Sequence, residues 1–430
     1  MRSILPLRGG RTHGLWARTA PEFKTGRMEG PASAEVLVIG GGFTGLSTAL
    51  HLSERGLSVI VLEAWDIGFG GSGRSVGLVN AGLWLEPDTV VELLGETYGE
   101  RLIQLLSEAP QTVFDIIRRH DIACEGLHNG TLHCAVGRKG REEIERRFRQ
   151  WRARGAPVEI LSETESAAKL GTAAYTGALL DRRAGTIQPL AYVRGLARAA
   201  VSKGARIFAG DAVERVERSP SGWSAITARG AVSAKWIVVA TDVYATGPWR
   251  QIALEQIRLP YFNIATRPLG DALRKSVLPE RQGAWDTQTV LRSFRMDAAG
   301  RLIFGSVGAL RGTGAVIHRA WGRRAIRALF PQLDGVELED EWYGTIGMTT
   351  DNVPRFHKLA DNVVAVSGYN GRGIAPGTAF GKVIADYIRG NIGDDEMPLP
   401  PTSVSEPRFR RLREVAYELG SQAVHLLVTK

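Results

Sequence analysis

The feature that most narrows what this chain can fold into is a glycine-rich turn between a strand and a helix. Glu35-Val-Leu-Val-Ile39 is an almost unbroken apolar run, the pattern of a strand buried on both faces. Gly40-Gly41-Gly42-Phe43-Thr44-Gly45 comes directly after it. Leu46, Ala49, Leu50 and Leu52 then recur at helical spacing, and Gly56 is placed to close the helix. Ser58-Val-Ile-Val-Leu62 reads as a second strand and ends on Glu63. In such a unit Gly40 permits the tight turn and Gly42 lets the backbone approach a pyrophosphate, while Gly45 lets the helix pack closely on the sheet. Phe43 and Thr44 open a helix whose N-terminus offers free N–H groups and partial positive charge to phosphates. An acid about 20 residues on accepts bonds from ribose hydroxyls, and Glu63 would repel the 2′-phosphate of NADP. A glycine turn without a ligand leaves that acid unexplained, so the pattern predicts a dinucleotide site.

The segment after Ala64 separates the candidate dinucleotides. Ile67-Gly-Phe-Gly-Gly-Ser-Gly-Arg-Ser-Val-Gly77 is a second loop of small residues. The N–H groups of Gly71 and Gly77 suit close contact with a further part of a large cofactor, and the side chains of Ser72, Arg74 and Ser75 can bond phosphate or ribityl oxygens. A flexible surface loop would carry more charge. The pair of loops points to FAD rather than NAD.

Further along, helical patterns cover 88–120 and 141–154, the second charged around most of its surface and expected to be exposed. Leu190 to Lys203 is an amphipathic helix with a short strand after it. Buried strands are expected near residues 36, 58, 236 and 363, and a β-rich block with alternating patterns over 257–310. The order predicts an α/β chain with a Rossmann-like FAD-binding domain from 34–87, 186–250 and 345–397. Interleaved with it is an α+β substrate domain from 88–185 and 251–344, containing a mostly antiparallel sheet. An arm over 1–33 is expected on the domain surface, and a linker with a last helix over 398–430. The cleft between the domains is the expected place for substrate.

Composition excludes several classes. No apolar run approaches the roughly 18 to 20 residues needed to span a bilayer. The start of the chain is basic, but it lacks a signal-peptide core, and its glycines and Pro6 spoil an amphipathic transit helix. Cys124 and Cys134 match neither a redox pair nor a metal site, which fits a reducing, cytoplasmic setting. His318, His357 and the other histidines lack ligand spacing, so no metal is expected. The net charge of +9 comes from scattered arginines with clusters at 141–154, 323–327 and 408–413. These read as solvated faces rather than a nucleic-acid surface, although a basic field draws in an anionic cofactor or carboxylate substrate.

The run from Val36 through Val79 resembles the FAD-dependent oxidoreductases of the D-amino-acid-oxidase/glycine-oxidase type. The resemblance continues through Tyr175-Thr-Gly-Ala-Leu-Leu-Asp, Gln188-Pro-Leu, Val213 and Ile237-Val-Val-Ala-Thr-Asp-Val-Tyr to Gly368-Tyr-Asn-Gly-Arg-Gly-Ile. It covers almost the whole chain and is strongest toward the γ-glutamylputrescine oxidoreductase and L-pipecolate oxidase subgroup. Ser75 and Val76 replace the family's common Asn and Gly, and Asp242 stands where Gly or Asn is commoner. The resemblance implies a backbone contact from Val213 to adenine and a cofactor lining by Ala240 and Thr241. It also implies that N–H groups from Gly371, Arg372, Gly373 and Ile374 meet the flavin N1/C2=O edge, where they favour the reduced form. No cysteine follows Cys134, so the FAD is expected to be non-covalent.

The implied reaction is hydride transfer from a carbon bearing nitrogen to flavin N5, giving an imine and, with oxygen, hydrogen peroxide. The amine or amino acid would be L-pipecolate-like or γ-glutamylputrescine-like. Alternatives are a dehydrogenase passing electrons to a quinone or carrier, a tRNA-modifying flavoprotein, and a flavoprotein without turnover. For the substrate carboxylate, Arg292, Arg295 and Arg372 are candidates. In a strand the first two cannot both face the cleft. Trp84, Tyr261 and Tyr369 are candidate walls.

Overall fold

In the computed structural model, which describes residues 13–220 and 222–427, Val36 to Ile39 of the apolar run form the buried half of a strand, Ala32–Ile39, with Glu35 exposed. That strand is the centre of a parallel sheet. Val59–Glu63 and then Arg206–Ala209 lie on one side of it, and Gly230–Val239 and then Val363–Ser367 on the other. Arg355–Ala360 adds an antiparallel edge. The chain therefore leaves the central strand first one way and later the other, and a crevice opens at the carboxyl ends where the direction switches. Val36, Val38, Val59 and Val61 point into one core and Leu37, Ile39, Ile60 and Leu62 into another, as alternate residues of a strand must. The helices Phe43–Ser53 and Ile374–Arg389 cross in close contact over the first core. A Cβ on Gly381 would stand 2.5 Å from Ser47 Cβ, and one on Gly45 would stand 2.1 Å from the Gly40 carbonyl oxygen.

The second sheet runs in the order Leu338–Met348, Ile257–Thr266, Leu302–Val307, Arg292–Met296, Gly283–Asp286, Thr131–Cys134, Ala178–Asp181, Val158–Leu161. Every neighbouring pair is antiparallel except Gly283–Asp286 with Thr131–Cys134. Phe262, Ile264, Phe294 and Phe304 pack on one face against Trp321, Ile326 and Phe330, from the helix Gly312–Leu329 and the residue just after it. Leu259, Tyr261 and Ser293 line the cavity on the other face. Because both faces are covered, Leu302–Val307 is buried throughout rather than alternating, the pattern expected across the β-rich block.

Two expectations are corrected. The described part of the N-terminal arm is not a surface strap: the short helix Leu15–Thr19 drives Leu15 and Trp16 fully into the core. The Trp16 indole donates to the Ser75 carbonyl at 2.9 Å and packs edge-on against Trp342. The arm thus props the second glycine loop from behind. The transit-peptide reading falls largely on residues 1–12, outside the described residues. The charged helix, Gly137–Ala153, is not solvated all round, because Ile144, Arg147 and Trp151 are buried. Arg147 donates to the carbonyls of Leu83 and Leu85 at 3.3 and 3.2 Å. The proline linker expected ahead of the last helix is packed on the domain: Met397 and Leu399 are buried and Pro401 bridges to Phe356.

The last helix, Arg410–Leu427, lies on the second sheet and on Gly312–Leu329. His425 meets His318 there, Nδ1 to Nδ1 at 2.7 Å, and stacks on Trp321. Two facing nitrogens share one hydrogen, so the two rings cannot both be charged in this contact. Burial pushes His318 down to about 4 and His425 to about 3. A histidine held below its ordinary value stabilises the folded form above about pH 6.5. That contribution is withdrawn as the pH falls toward about 4. Limited proteolysis should therefore release the C-terminal segment faster near about pH 4.5 than near about pH 7. His425→Phe, which cannot be protonated, should weaken that dependence. Equal release rates for the wild type at the two pH values would refute the coupling.

Candidate cofactor and substrate site

A cavity of about 780 Å³ runs from the carboxyl ends of the parallel strands to the inner face of the antiparallel sheet. Ile39, Leu62 and Val366 end three parallel strands on its wall. Gly40, Gly42, Phe43 and Thr44 line it from the first turn, and Glu63 and Ala64 from the second strand. The second loop contributes Gly71, Ser72, Arg74 and Ser75. Val213, Ala240 and Thr241 come from the loops after later strands, and Gly371, Arg372, Gly373 and Ile374 from the turn into the last helix of this domain. Two expected contact residues lie behind the wall. Gly45 packs against the Gly40 carbonyl, and Gly77, at φ +93°, against that of Ile187, where a Cβ would approach to 2.1 Å. Both shape the turns without reaching the cavity.

Local chemistry explains how the polar groups are held. Glu63 Oε2 accepts from the Gly41 N–H at 2.7 Å and Oε1 from that of Trp65 at 2.9 Å. Burial pushes its carboxyl up, against the pull of those N–H groups. The Ser72 hydroxyl accepts from Phe43 N–H at 3.1 Å, at the mouth of the first helix. Asp242 takes φ +46°, a conformation that suits its Asn- and Gly-like position, and its carboxylate accepts from Gly368 N–H at 2.8 Å. It thereby ties the exit of the Gly230–Val239 strand to the Gly368–Gly373 loop.

Several buried donors at the wall have no partner. Arg74 Nε and Nη2, Ser75 Oγ, Thr241 Oγ1, and Arg372 Nε and Nη2 make no hydrogen bond within the described chain. Arg74 sits 4.7 Å over the Phe69 ring, and burial lowers its pKa. Leaving buried guanidinium nitrogens unpaired is costly. A large ligand bearing phosphate, ribityl and carbonyl oxygens satisfies those of Arg74, Ser75 and Thr241, and that donor set fits FAD.

At the other end the walls are aromatic. Arg372 lies between Trp84 and Trp285, 4.7 and 4.6 Å from their rings, and donates from Nη1 to the Ala81 carbonyl at 3.0 Å. Burial, and after it the Arg147 cation, hold its pKa well below the ordinary arginine value. Trp84, Tyr261 and Tyr369 all line the cavity. The Tyr261 hydroxyl bonds Ser293 at 2.6 Å and that of Tyr369 bonds Thr44 at 2.7 Å. Arg292 and Arg295 do not reach the cavity. They point to opposite faces of their strand, three residues apart. Arg292 is paired with Asp286 at 2.6 Å. Arg295 donates to the Val76 carbonyl at 2.9 Å and lies over Trp16. Missed in the sequence were Trp285, Asp211 and the last helix, which contributes Ala416, Tyr417, Gly420 and Val424. Nothing in their local pattern marks them; only the packing of distant segments brings them in.

A crevice at the switch point of a parallel sheet, entered by a glycine turn and a helix N-terminus, defines a dinucleotide-binding enzyme fold. The chain belongs to the DAO family, FAD-dependent oxidoreductases, whose family model matches residues 35–387, and its cofactor is FAD. It is 31% identical over 370 residues to gamma-glutamylputrescine oxidoreductase of Escherichia coli K12, covering 84% of each chain. Among solved structures, glycine oxidase from Geobacillus kaustophilus matches with a TM-score of 0.68 at 19% identity, covering 88% of this chain and 99% of that one. L-amino acid deaminase from Proteus myxofaciens matches with a TM-score of 0.72 at 15% identity, covering 87% and 94%. These likenesses establish the shared fold.

Proposed function

We propose that this flavoenzyme oxidises a C–N bond in a small amine or amino acid that carries a carboxylate, with the FAD held non-covalently. The observation that carries the reading is Arg372: a buried guanidinium with two unpaired nitrogens, walled by Trp84 and Trp285, on the loop that leads into the Ile374–Arg389 helix. A carboxylate is the small anion whose geometry matches such a fork. The relative's name, gamma-glutamylputrescine oxidoreductase, supports an amine as the reacting group.

When bound, FAD supplies the two-electron oxidation. The chain's own part is to bind, orient and exclude water. Arg372 anchors the carboxylate, while Trp84, Trp285 and Tyr261 form an apolar wall that confines the rest of the molecule. The Ile374–Arg389 helix turns its N-terminus toward the cavity, and its partial positive charge favours added negative charge there. The acids among the described lining residues are Glu63, Asp211 and Asp242. Glu63 and Asp242 accept backbone N–H groups, and Asp211 is bonded to Arg229 and to the Met28 N–H. None is free to serve as a base, so the reacting amine arrives neutral. Two buried free cysteines support a reducing compartment.

Anaerobic mixing of the holoenzyme with primary and secondary amines, with and without a carboxylate, tests the reading. Loss of the oxidised flavin absorbance is expected with a carboxylate-bearing amine, and no loss with any amine would sink it. Hydrogen peroxide formed on admitting air identifies oxygen as the acceptor. Glu63 is proposed to hold the ribose. Glu63→Ala removes charge-assisted bonds of about 1.5–3 kcal/mol each, so the protein should purify with roughly a tenth or less of the normal FAD. Full retention would refute the ribose role.

A further inference from the structure

The last helix is packed with its polar side inward. The buried residues of Arg410–Leu427 are Arg410, Ser421 and His425. Glu414 pairs with Arg410, and Glu418 with Arg311, so its carboxylates are engaged. Leu412, Val415, Leu419 and Leu426 point away from the molecule, each more than half exposed at 66, 52, 60 and 59%. Their spacing of three, four and seven residues places them on one face. A surface helix ordinarily reverses this arrangement, and an apolar stripe of this length marks a site of contact. Val316, 69% exposed on the adjoining helix, extends the patch.

Charge selects the occupant. Arg408, Arg411 and Arg413 are exposed at the start of the helix and form no ion pair among the described residues. The outward face carries no carboxylate, so a second copy laid against it offers these arginines no counter-charge. We propose that this helix docks in the plane of an anionic lipid bilayer, its leucines in the headgroup–acyl boundary and its arginines on the lipid phosphates. The adjoining edge of the helix, Ala416, Tyr417, Gly420 and Val424, lines the cavity. Docking therefore sets the cavity beside the membrane surface. The inference stands independently of the substrate reading.

The test is flotation of the FAD-loaded full chain with vesicles of phosphatidylcholine alone or mixed with phosphatidylglycerol. Binding is expected only to the anionic vesicles, and it should weaken as salt screens the arginines. The triple variant Leu412→Ser, Leu419→Ser, Leu426→Ser alters solvent-facing positions, so it should keep its FAD and its thermal transition while losing at least about tenfold in vesicle binding. The variant Arg408→Gln, Arg411→Gln, Arg413→Gln should bind less and lose most of the salt dependence. Failure of the wild type to float with anionic vesicles overturns the proposal, as does unchanged flotation of the leucine variant. A dimer in sedimentation that the leucine variant abolishes, without vesicle binding, assigns the face to a second copy instead.

Discussion

Replacing Asp286 with alanine is expected to cost about 3–5 kcal/mol of folding stability, the range for stripping one partner from a buried ion pair. Its carboxylate receives Arg292 Nε at 2.6 Å, and the two side chains are 0 and 7% exposed. The same group accepts the backbone N–H of Arg292 at 3.0 Å and the Tyr175 hydroxyl at 3.4 Å. It therefore organises the connection between Gly283–Asp286 and Arg292–Met296 as well as balancing the charge. In Asp286→Ala the guanidinium stays buried beside the Tyr175 ring with no anion to replace the lost one. Two controls separate charge from packing. Asp286→Asn keeps an acceptor but not the charge and should fall between wild type and alanine. The double variant Asp286→Leu, Arg292→Met removes both charges and should recover much of the loss. Urea unfolding of the holoenzymes at equal FAD concentration measures all three. A loss below about 1 kcal/mol for Asp286→Ala would mean that water reaches Arg292 and that the pair is not the buried one described.

The second large effect is on turnover. Arg372→Met should raise KM for a carboxylate-bearing amine by roughly 10- to 150-fold, the equivalent of about 1.5–3 kcal/mol for a charged hydrogen bond. The kcat should change less, because the anchor holds the substrate equally before and during reaction. Methionine retains apolar contact with Trp84 and Trp285, so the cavity walls should survive. Arg372→Lys should rescue little: a lysine keeps the charge but presents no planar fork, and it stacks less well between two indoles. An amine without a carboxylate should be indifferent to both substitutions. Equal losses on substrates with and without a carboxylate would show that Arg372 supports the loop rather than the substrate.

The three candidate arginines show where legibility ends. Strand periodicity correctly says that Arg292 and Arg295 face opposite ways. It does not say that Asp286 neutralises the first, nor that Trp16 and the Val76 carbonyl enclose the second. Arg372 stands in the sequence beside the expected flavin loop, but nothing there says that its side chain is the one left available. It differs because Trp84 and Trp285, 288 and 87 residues away in the chain, close around it and leave two of its nitrogens unpaired. The N-terminal arm makes the same point. Leu15 and Trp16 look like isolated apolar residues in a basic stretch, and their burial depends on a slot formed by Ser75 and Trp342.

By itself the sequence determined the cofactor half of this protein. Its signals are short-range: an apolar run, a glycine turn, a helix at regular spacing and an acid at the end of the next strand all belong to one βαβ unit, where neighbours in the chain are neighbours in space. The tertiary structure alone decided which of the three candidate arginines keeps unpaired nitrogens at the cavity, how the arm at the start of the chain is used, and which way the last helix turns its leucines. Each of those depends on the side chains that distant segments bring to bear, and pairing between buried charges, rather than the identity of any one residue, is what leaves a group spent or available.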